Sequence, residues 1–511
     1  IRTTLDLDWQ HTAEATITRQ LERLNTPDLA SPPRNANNAA LAALDPHTGQ
    51  VLALVGSANY NDPAISGAIN MALSSRQPGS ALKPFTYALA LDPTRPGPWT
   101  AGTMILDVRT AFVTREGFSY VPVNYDLQEH GPVLVRQALA SSYNVPAVVA
   151  LDHVGLPRLL DLLARLGITT LRDADALGLS LTLGGGDIRL LELTAAYAAL
   201  ANGGTMIHPQ IILDIAGEDG AVLYHRESGR GGQEIDPRVA WLITDILSDN
   251  TARAPAFSTH SILQIGRPAA VKTGTTTDYR DNWTVGYTPD LVVGVWVGNA
   301  DNAPMVNISG VSGAGPIWHD FMRLVLRGTP ERAFTQPAGL EQAEICALSG
   351  MLPSPACPQT RYEWFIQGTA PTEPDTIFHI AGGRLVLDLP PQAHAWARSQ
   401  NLPLLADLPD VAGGTASGLR LLAPDDATVY RMASTLPASA QRIRFEAAGP
   451  ADLRVVSFVL NGTTLGTVSA PPYSTWWALA PGEYSLYAAG ILSSGQTVRT
   501  PGVSFRVEPP G

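Results

Sequence analysis

Cysteine, charge and long apolar runs are all scarce in this chain of 511 residues. Its two cysteines, Cys346 and Cys357, lie close together in a Pro/Gly/Ser-rich stretch with no histidine nearby, which argues against a zinc site. A disulfide closing a short loop fits secreted-protein usage; two unpaired thiols of a cytosolic protein are the alternative. Charged residues make up 16% of the chain, and the net charge of −12 is spread without any Lys/Arg run. That excludes the basic footprint of a nucleic-acid partner and a polybasic membrane contact. The longest purely apolar stretch, around Leu291–Val297, is strand-sized and far short of a membrane span. Neither a signal peptide nor an initiating Met precedes Ile1, which predicts a fragment or mature product whose anchor lies upstream. A hydrophobic fraction of 45% describes a folded protein. The length allows about two to four domains, each with its own core.

The pattern predicts an N-terminal linker-helix region over 1–38, with a helix over residues 6–24 capped by Asp6 or Asp8. A hairpin follows, Ala39–Leu44 and Val51–Val55 around a turn at residues 45–49. From Gly79 to about Asn202 the chain reads mostly helical. One helix is expected over roughly Val133–Ala140, and the last over Ile188–Ala201, with Asp187 as N-cap and Gly203 beyond its end. Another helix is predicted at Pro237–Leu247, and two more strands, Trp283–Tyr287 and Leu291–Val297, bracket a turn. Strands at both ends of a helical insertion predict a mixed sheet with helices packed on it, an α/β (α+β) unit over 39–328. Residues 329–412 show little periodicity and read as a connecting segment with some local order. Beyond the glycine-rich run Gly413–Gly418, about seven short alternating strands, with Asn461-Gly462 as a type I′ turn, predict an immunoglobulin-like β-sandwich over 413–511.

Three patches carry chemistry: Ser80-Ala-Leu-Lys83, Ser142-Tyr-Asn144 and Lys272-Thr-Gly-Thr275. Each is cheap alone, and a helix start with a snorkelling lysine, a polar turn and a Lys-Thr-Gly turn are their bland readings. Together they supply a serine nucleophile with two lysines and a second hydroxyl, a set suited to acyl transfer without histidine. Ser80 follows turn residues and is expected at a helix N-terminus, with Lys83 one turn later on the same face. A desolvated lysine beside other cations is neutral enough to serve as the base. Ser142 and Asn144 are expected on an interhelical loop, where a hydroxyl relays a proton and an amide holds a peptide bond. Ser248-Asp-Asn250 is a rival to that second patch; its place at a helix end favours Ser142. Lys272 to Thr275 should form an edge strand, Gly274 admitting substrate backbone and Thr273 and Thr275 binding a carboxylate. Backbone N–H groups of Ser80 and Thr275 would form the oxyanion hole.

These motifs, with Gln77-Pro-Gly-Ser80 and Arg280-Asp-Asn-Trp-Thr-Val-Gly286, resemble the transpeptidase domain of class A penicillin-binding proteins. Thr3–Asp8 resembles the passage from glycosyltransferase to transpeptidase in that family. The segment Cys346–Pro358 and the C-terminal β-domain resemble the 1C type.

The resemblance implies a DD-transpeptidase that cross-links peptidoglycan stem peptides ending in D-Ala-D-Ala, with Ser80 as nucleophile and Lys83 as base. Ser142 and Lys272 would pass the proton to the leaving amine, Asn144 would hold the donor, and Thr273 and Thr275 its carboxylate. β-Lactams would acylate Ser80, no metal or organic cofactor is called for, and the site would face the extracytoplasmic space. The glycosyltransferase half is absent from this sequence, and any membrane anchor would lie upstream. Rival readings are a β-lactamase or DD-carboxypeptidase, for which no positioned Glu motif is evident, and a non-catalytic β-lactam sensor or peptidoglycan-binding module. The β-sandwich would dock a protein partner or act as a spacer.

Overall fold

The computed structural model describes residues 1–27, 32–113, 119–171, 177–226, 231–408, 419–424, 428–432, 441–450 and 452–509. The glycine-rich boundary expected at 413–418 lies outside them. Two units are distinguished, one of residues 1–109, 122–352 and 359–373, the other of 110–121, 353–358 and 374–511. Among the described residues no helix is long and apolar enough to cross a membrane.

The first unit is built on a five-stranded sheet. Its strands are β1 (Asn38–Leu44), β2 (Val51–Val55), β3 (Ala270–Thr275), β4 (Asp281–Tyr287) and β5 (Val292–Gly298), in the order β3-β4-β5-β1-β2. Every pairing in it is antiparallel, which corrects the expected mixed sheet. Short turns join β1 to β2, β3 to β4 and β4 to β5, and a short turn can only reverse the chain.

All residues of β1, β4 and β5 are buried. Ala39, Leu41 and Ala43 face one core and Ala40, Ala42 and Leu44 the other, because successive side chains alternate across a strand. Helices therefore cover both faces. On one side lie α1 (Leu7–Asn25), through Ala13, Ile17 and Leu21, and α8 (Ala314–Val325), through Ile317, Trp318 and Phe321. Asp6 caps α1 by accepting from the Trp9 N–H at 3.0 Å, and Trp9 meets Phe321 edge-on. The other side holds the helical insertion: α2 (Lys83–Ala90), α3 (Val135–Ala140), α4 (Asn144–Val154), α5 (Leu190–Ala201), α6 (Pro237–Ser248) and α7 (Asn250–Phe257).

Two helix starts differ from expectation for one reason. Gly131–Leu134 pairs with Met104–Asp107, and Ile188–Arg189 pairs with Ser75–Arg76, so these residues are extended before α3 and α5 begin. Arg189, not Asp187, occupies the N-cap of α5. Strand partners distant in sequence decide such boundaries, and local propensity does not see them.

The segment 329–412 carries more regular structure than its sequence suggests. Leu340–Cys346 pairs with Thr360–Ile366 in the first unit. Phe378–Ala381 pairs with Arg384–Leu387 and a helix spans Pro391–Ser399 in the second. Both cysteines are disulfide-bonded.

The rest of the second unit is strand-rich. A sheet of Arg420–Ala423, Arg442–Ala448 and Tyr473–Ala478 shares one core with a larger sheet containing Leu453–Leu460, Gly482–Leu492 and Val503–Glu508. Phe445 from the first and Phe458, Leu486 and Phe505 from the second fill it, as in a β-sandwich. Asn461 and Gly462 both have positive φ, 46° and 82°, as a type I′ turn requires. The adjacent tryptophans split by the period of the strand: Trp477 stacks on Phe445, and Trp476 is exposed beneath Arg442.

Candidate active site

Two backbone segments meet without side chains between them. Gln77-Pro78-Gly79 turns the chain, with Gly79 at φ 57°, into a single 3-10 turn over Gly79–Leu82 that carries Ser80; α2 follows from Lys83. The edge strand β3 lies alongside. A Cβ on Gly274 would stand 2.0 Å from the Pro78 carbonyl oxygen, and one on Gly79 would stand 2.7 Å from the Thr275 backbone nitrogen. Gly274 therefore admits the chain's own turn ahead of Ser80, which corrects the expectation that substrate backbone fills that space. It also brings the Thr275 N–H beside the Ser80 turn. Ser80 itself is half-buried.

Lys83 is fully buried, and its amine donates to Ser142 O at 2.6 Å, Asn144 Oδ1 at 2.7 Å and Tyr143 O at 3.0 Å. Ser142 Oγ lies 3.4 Å from the same amine. No hydrogen bond to Ser80 is among these contacts of Lys83. On β3, the buried Lys272 amine donates to Ser142 Oγ at 2.7 Å and to Thr273 O at 2.9 Å. One serine hydroxyl thus stands between two buried lysine amines from elements far apart in sequence.

Burial, and secondly the charge of Lys272, push the Lys83 amine well below the usual lysine range; Asp107 works the other way. Burial, with the Arg253 guanidinium second, lowers Lys272 to about 7. Two ammonium groups cannot share so small a desolvated volume without large cost, so a neutral amine is available near neutral pH.

Ser142 holds its place by an unusual helix end. The Ser142 N–H donates to Leu139 O at 3.1 Å and the Tyr143 N–H to Ala138 O at 3.0 Å, the Schellman pattern closing α3. Its left-handed position, normally glycine, is Ser142 at φ 62°. A Cβ there costs about 1–2 kcal/mol, strain of the kind that collects at functional sites.

The two threonines sit in different surroundings. Thr275 Oγ1 already accepts the Gly310 N–H at 3.0 Å, and Thr273 is buried against Gly310. The Gly310 N–H thus takes up part of the acceptor capacity of Thr275. Asn144 donates its side-chain N–H to Val123 O at 2.7 Å while its oxygen holds Lys83.

The rival patch has a structural role. Ser248 Oγ donates to Asp245 O, and Asp249 caps α7 by accepting from the N–H groups of Thr251 and Ala252. Asp249 and Asp245 also bind Arg136, whose guanidinium is held by the fully buried Glu363 at 2.5 and 2.7 Å. Arg136 belongs to α3, so the helix that delivers Ser142 is clamped by the strand Thr360–Ile366. Sequence reasoning missed Arg136, Arg253, Glu363, Asp107, Asn124 and His130; none belongs to a short motif, and their partners lie up to 227 positions away.

Residues 39–323 match the family model of the penicillin binding protein transpeptidase domain. Residues 336–379 match that of the penicillin-binding protein 1A C-terminal domain. Penicillin-binding protein 2D of Bacillus subtilis (strain 168) is 32% identical over 381 residues, which cover 73% of this chain and 51% of that protein. The chain thus spans about half the length of this curated relative. Penicillin-binding protein 1A from Haemophilus influenzae superposes with a TM-score of 0.58 at 28% identity, covering 66% of this chain and 55% of that one. PonA1 from Mycobacterium tuberculosis, in complex with penicillin V, gives 0.56 at 25% identity over 66% and 88%. Two consecutive family matches and the order of the three motifs agree, and the chain belongs to the class A penicillin-binding proteins.

Proposed function

We propose that this chain is the transpeptidase part of a 1C-type class A penicillin-binding protein. In this reading it acts on peptidoglycan stem peptides outside the cytoplasm and is acylated by β-lactams at Ser80. The observation that carries it is Ser142 Oγ set between the Lys272 and Lys83 amines, with Ser80 one turn before Lys83.

A neutral Lys83 amine takes the Ser80 hydroxyl proton while Ser80 Oγ bonds the penultimate D-Ala carbonyl carbon. Negative charge on the carbonyl oxygen is met by the N–H groups of Ser80 and Thr275, whose backbones the glycine contacts bring together. The C–N bond then breaks. Its amine leaves with a proton from Ser142 Oγ, which Lys272 replaces, and D-alanine departs. An amine of a neighbouring stem attacks the ester and forms the cross-link, its proton returning to Lys272 through Ser142 Oγ while Lys83 gives its proton back to Ser80 Oγ. The Lys272 charge and the Thr273 and Thr275 hydroxyls receive the terminal carboxylate of the donor, and the remaining amide hydrogen of Asn144 receives donor backbone. The relay needs no residue beyond those already gathered.

The test is intact-mass spectrometry after incubation with a penicillin, beside Ser80→Ala. A stoichiometric, long-lived adduct in the parent and none in the variant is expected. Rapid hydrolysis of the drug without an adduct would favour a hydrolase, and intact drug without an adduct would leave only a binding module. The β-sandwich is assigned a partner-docking role, which a pull-down with residues 413–511 deleted would check.

A further inference from the structure

Helix α4 begins at Asn144, inside the second motif, and its N-cap, Tyr143, makes no side-chain cap. The first N–H groups of a helix have no partner within it and need one from elsewhere. That of Asn144 finds one twenty positions upstream: Asn124 Oδ1 accepts it at 2.7 Å. Asn124 is buried, and its own side-chain N–H groups donate to Asp107 Oδ1 at 2.9 Å, Asp107 Oδ2 at 2.7 Å and Gln128 O at 2.8 Å. Asp107 is fully buried at the end of the strand Met104–Asp107 and also pairs with His130 Nδ1 at 2.5 Å. The His130 ring lies flat on Tyr143, with centroids 3.9 Å apart and an interplanar angle of 14°. Each of the last two residues of the second motif is therefore gripped by a member of the Asp107–Asn124–His130 cluster.

None of these three residues touches Ser80, Ser142 or Lys272 through a hydrogen bond described above, and the proposed proton route does not use them. What they reach is Asn144, whose side-chain oxygen holds the Lys83 amine at 2.7 Å. A buried carboxylate is expensive to maintain unless its hydrogen bonds do work in the folded state. Here those bonds orient Asn124 amide-first towards Asp107, leaving its oxygen with one direction, towards the Asn144 N–H. Turning the Asn124 amide over would set its oxygen against the carboxylate. The arrangement is thus fixed in polarity as well as in position.

We propose that Asn124, locked by Asp107 and His130, is a positioning residue for acylation: it caps the helix that starts at Asn144 and thereby holds the Asn144 oxygen, and with it the Lys83 amine, in register with Ser80. This rests on the reading of Ser80 as the acylated serine and adds a requirement that the three motifs do not contain. An amine displaced by about 1 Å loses on the order of 100-fold in rate, so a positioning residue acts on the chemical step more than on binding.

Time-resolved intact-mass spectrometry with benzylpenicillin tests this, giving a saturating acylation rate, a half-saturating concentration and a final adduct stoichiometry. Asn124→Ala should acylate at least ~10-fold more slowly at saturation. Its half-saturating concentration should stay near the parent's, and Ser80 should still be labelled to completion. A variant that matches the parent's rate overturns the inference. So does one that labels only part of the protein at the parent's rate, since that is the signature of partial misfolding. Asp107→Asn keeps the shape and one of the two acceptors for Asn124 while removing the charge, and serves if Asn124→Ala does not fold. It should slow acylation several-fold, and an unchanged rate overturns the inference equally. A parent that forms no Ser80 adduct overturns the functional reading and takes this inference with it. A parent that acylates normally beside an equally fast variant overturns this inference alone.

Discussion

Replacing Ser142 by glycine should separate what the residue does for the fold from what it does for the chemistry. At φ 62° it occupies the left-handed position of a Schellman motif, where a Cβ costs about 1–2 kcal/mol. Glycine relieves that cost but makes the unfolded chain freer by about 0.4–1 kcal/mol, so the net relief is about 0–1.6 kcal/mol. Loss of the hydroxyl removes the acceptor 2.7 Å from the Lys272 amine, at about 0.5–1.5 kcal/mol for an ordinary hydrogen bond. Ser142→Gly should therefore unfold close to the parent. Ser142→Ala loses the same hydroxyl but keeps the strained Cβ, and should be the less stable of the two by up to about 1.6 kcal/mol. Both should lose acylation by fluorescent penicillin by about 10²–10⁴-fold, the range for a missing proton relay. Chemical denaturation and acylation kinetics on the same preparations decide it. Ser142→Ala as stable as or more stable than Ser142→Gly would refute the strain argument. Acylation of either variant within tenfold of the parent would refute the relay.

The pH dependence of stability tests the buried Lys272. Its folded value of about 7 lies below the ordinary 10.5, so between these values the unfolded chain binds the extra proton and stability must rise with pH. Lys272 should contribute a rise approaching about 1.4 kcal/mol per pH unit, so Lys272→Met should rise less steeply than the parent while the buried Lys83 keeps its own share, as followed by denaturation between pH 7 and 10. A parent flat across that window would contradict the burial argument. Gly274→Ala drives a Cβ to 2.0 Å from Pro78 O and should cost about 1–3 kcal/mol while displacing Ser80. Thermal unfolding and penicillin labelling should fall together. Glu363→Ala leaves Arg136 partly unpaired in a buried site and should cost about 3–5 kcal/mol in the first unit, with Glu363→Gln milder; equal stability of parent and Ala variant would deny the clamp. In the second unit, Gly462→Ala at φ 82° should lose about 1 kcal/mol, measurable by the same denaturation.

Local sequence determined a good deal. Turn chemistry placed the hairpin at residues 45–49 and the Asn461-Gly462 turn, because left-handed backbone favours glycine and asparagine. The capping of α1 by Asp6 and the alternating strands from Arg442 onward were legible for the same reason: their signals lie within a few residues. The three motifs of the proposed site could be picked out because each places its side chains within four residues.

Tertiary structure decided everything that depends on partners far apart in the chain. It set the all-antiparallel pairing of the sheet and the late starts of α3 and α5, since a strand's partner is not written beside it. It turned Gly274 towards Pro78 and Lys83 towards the second motif. It also gathered Asp107, Asn124 and His130 behind Asn144, and Glu363 behind Arg136. These are buried polar groups, each of which must find a hydrogen-bond partner wherever the packed fold brings one. Their positions are therefore set by the whole core, and no window of the sequence records them.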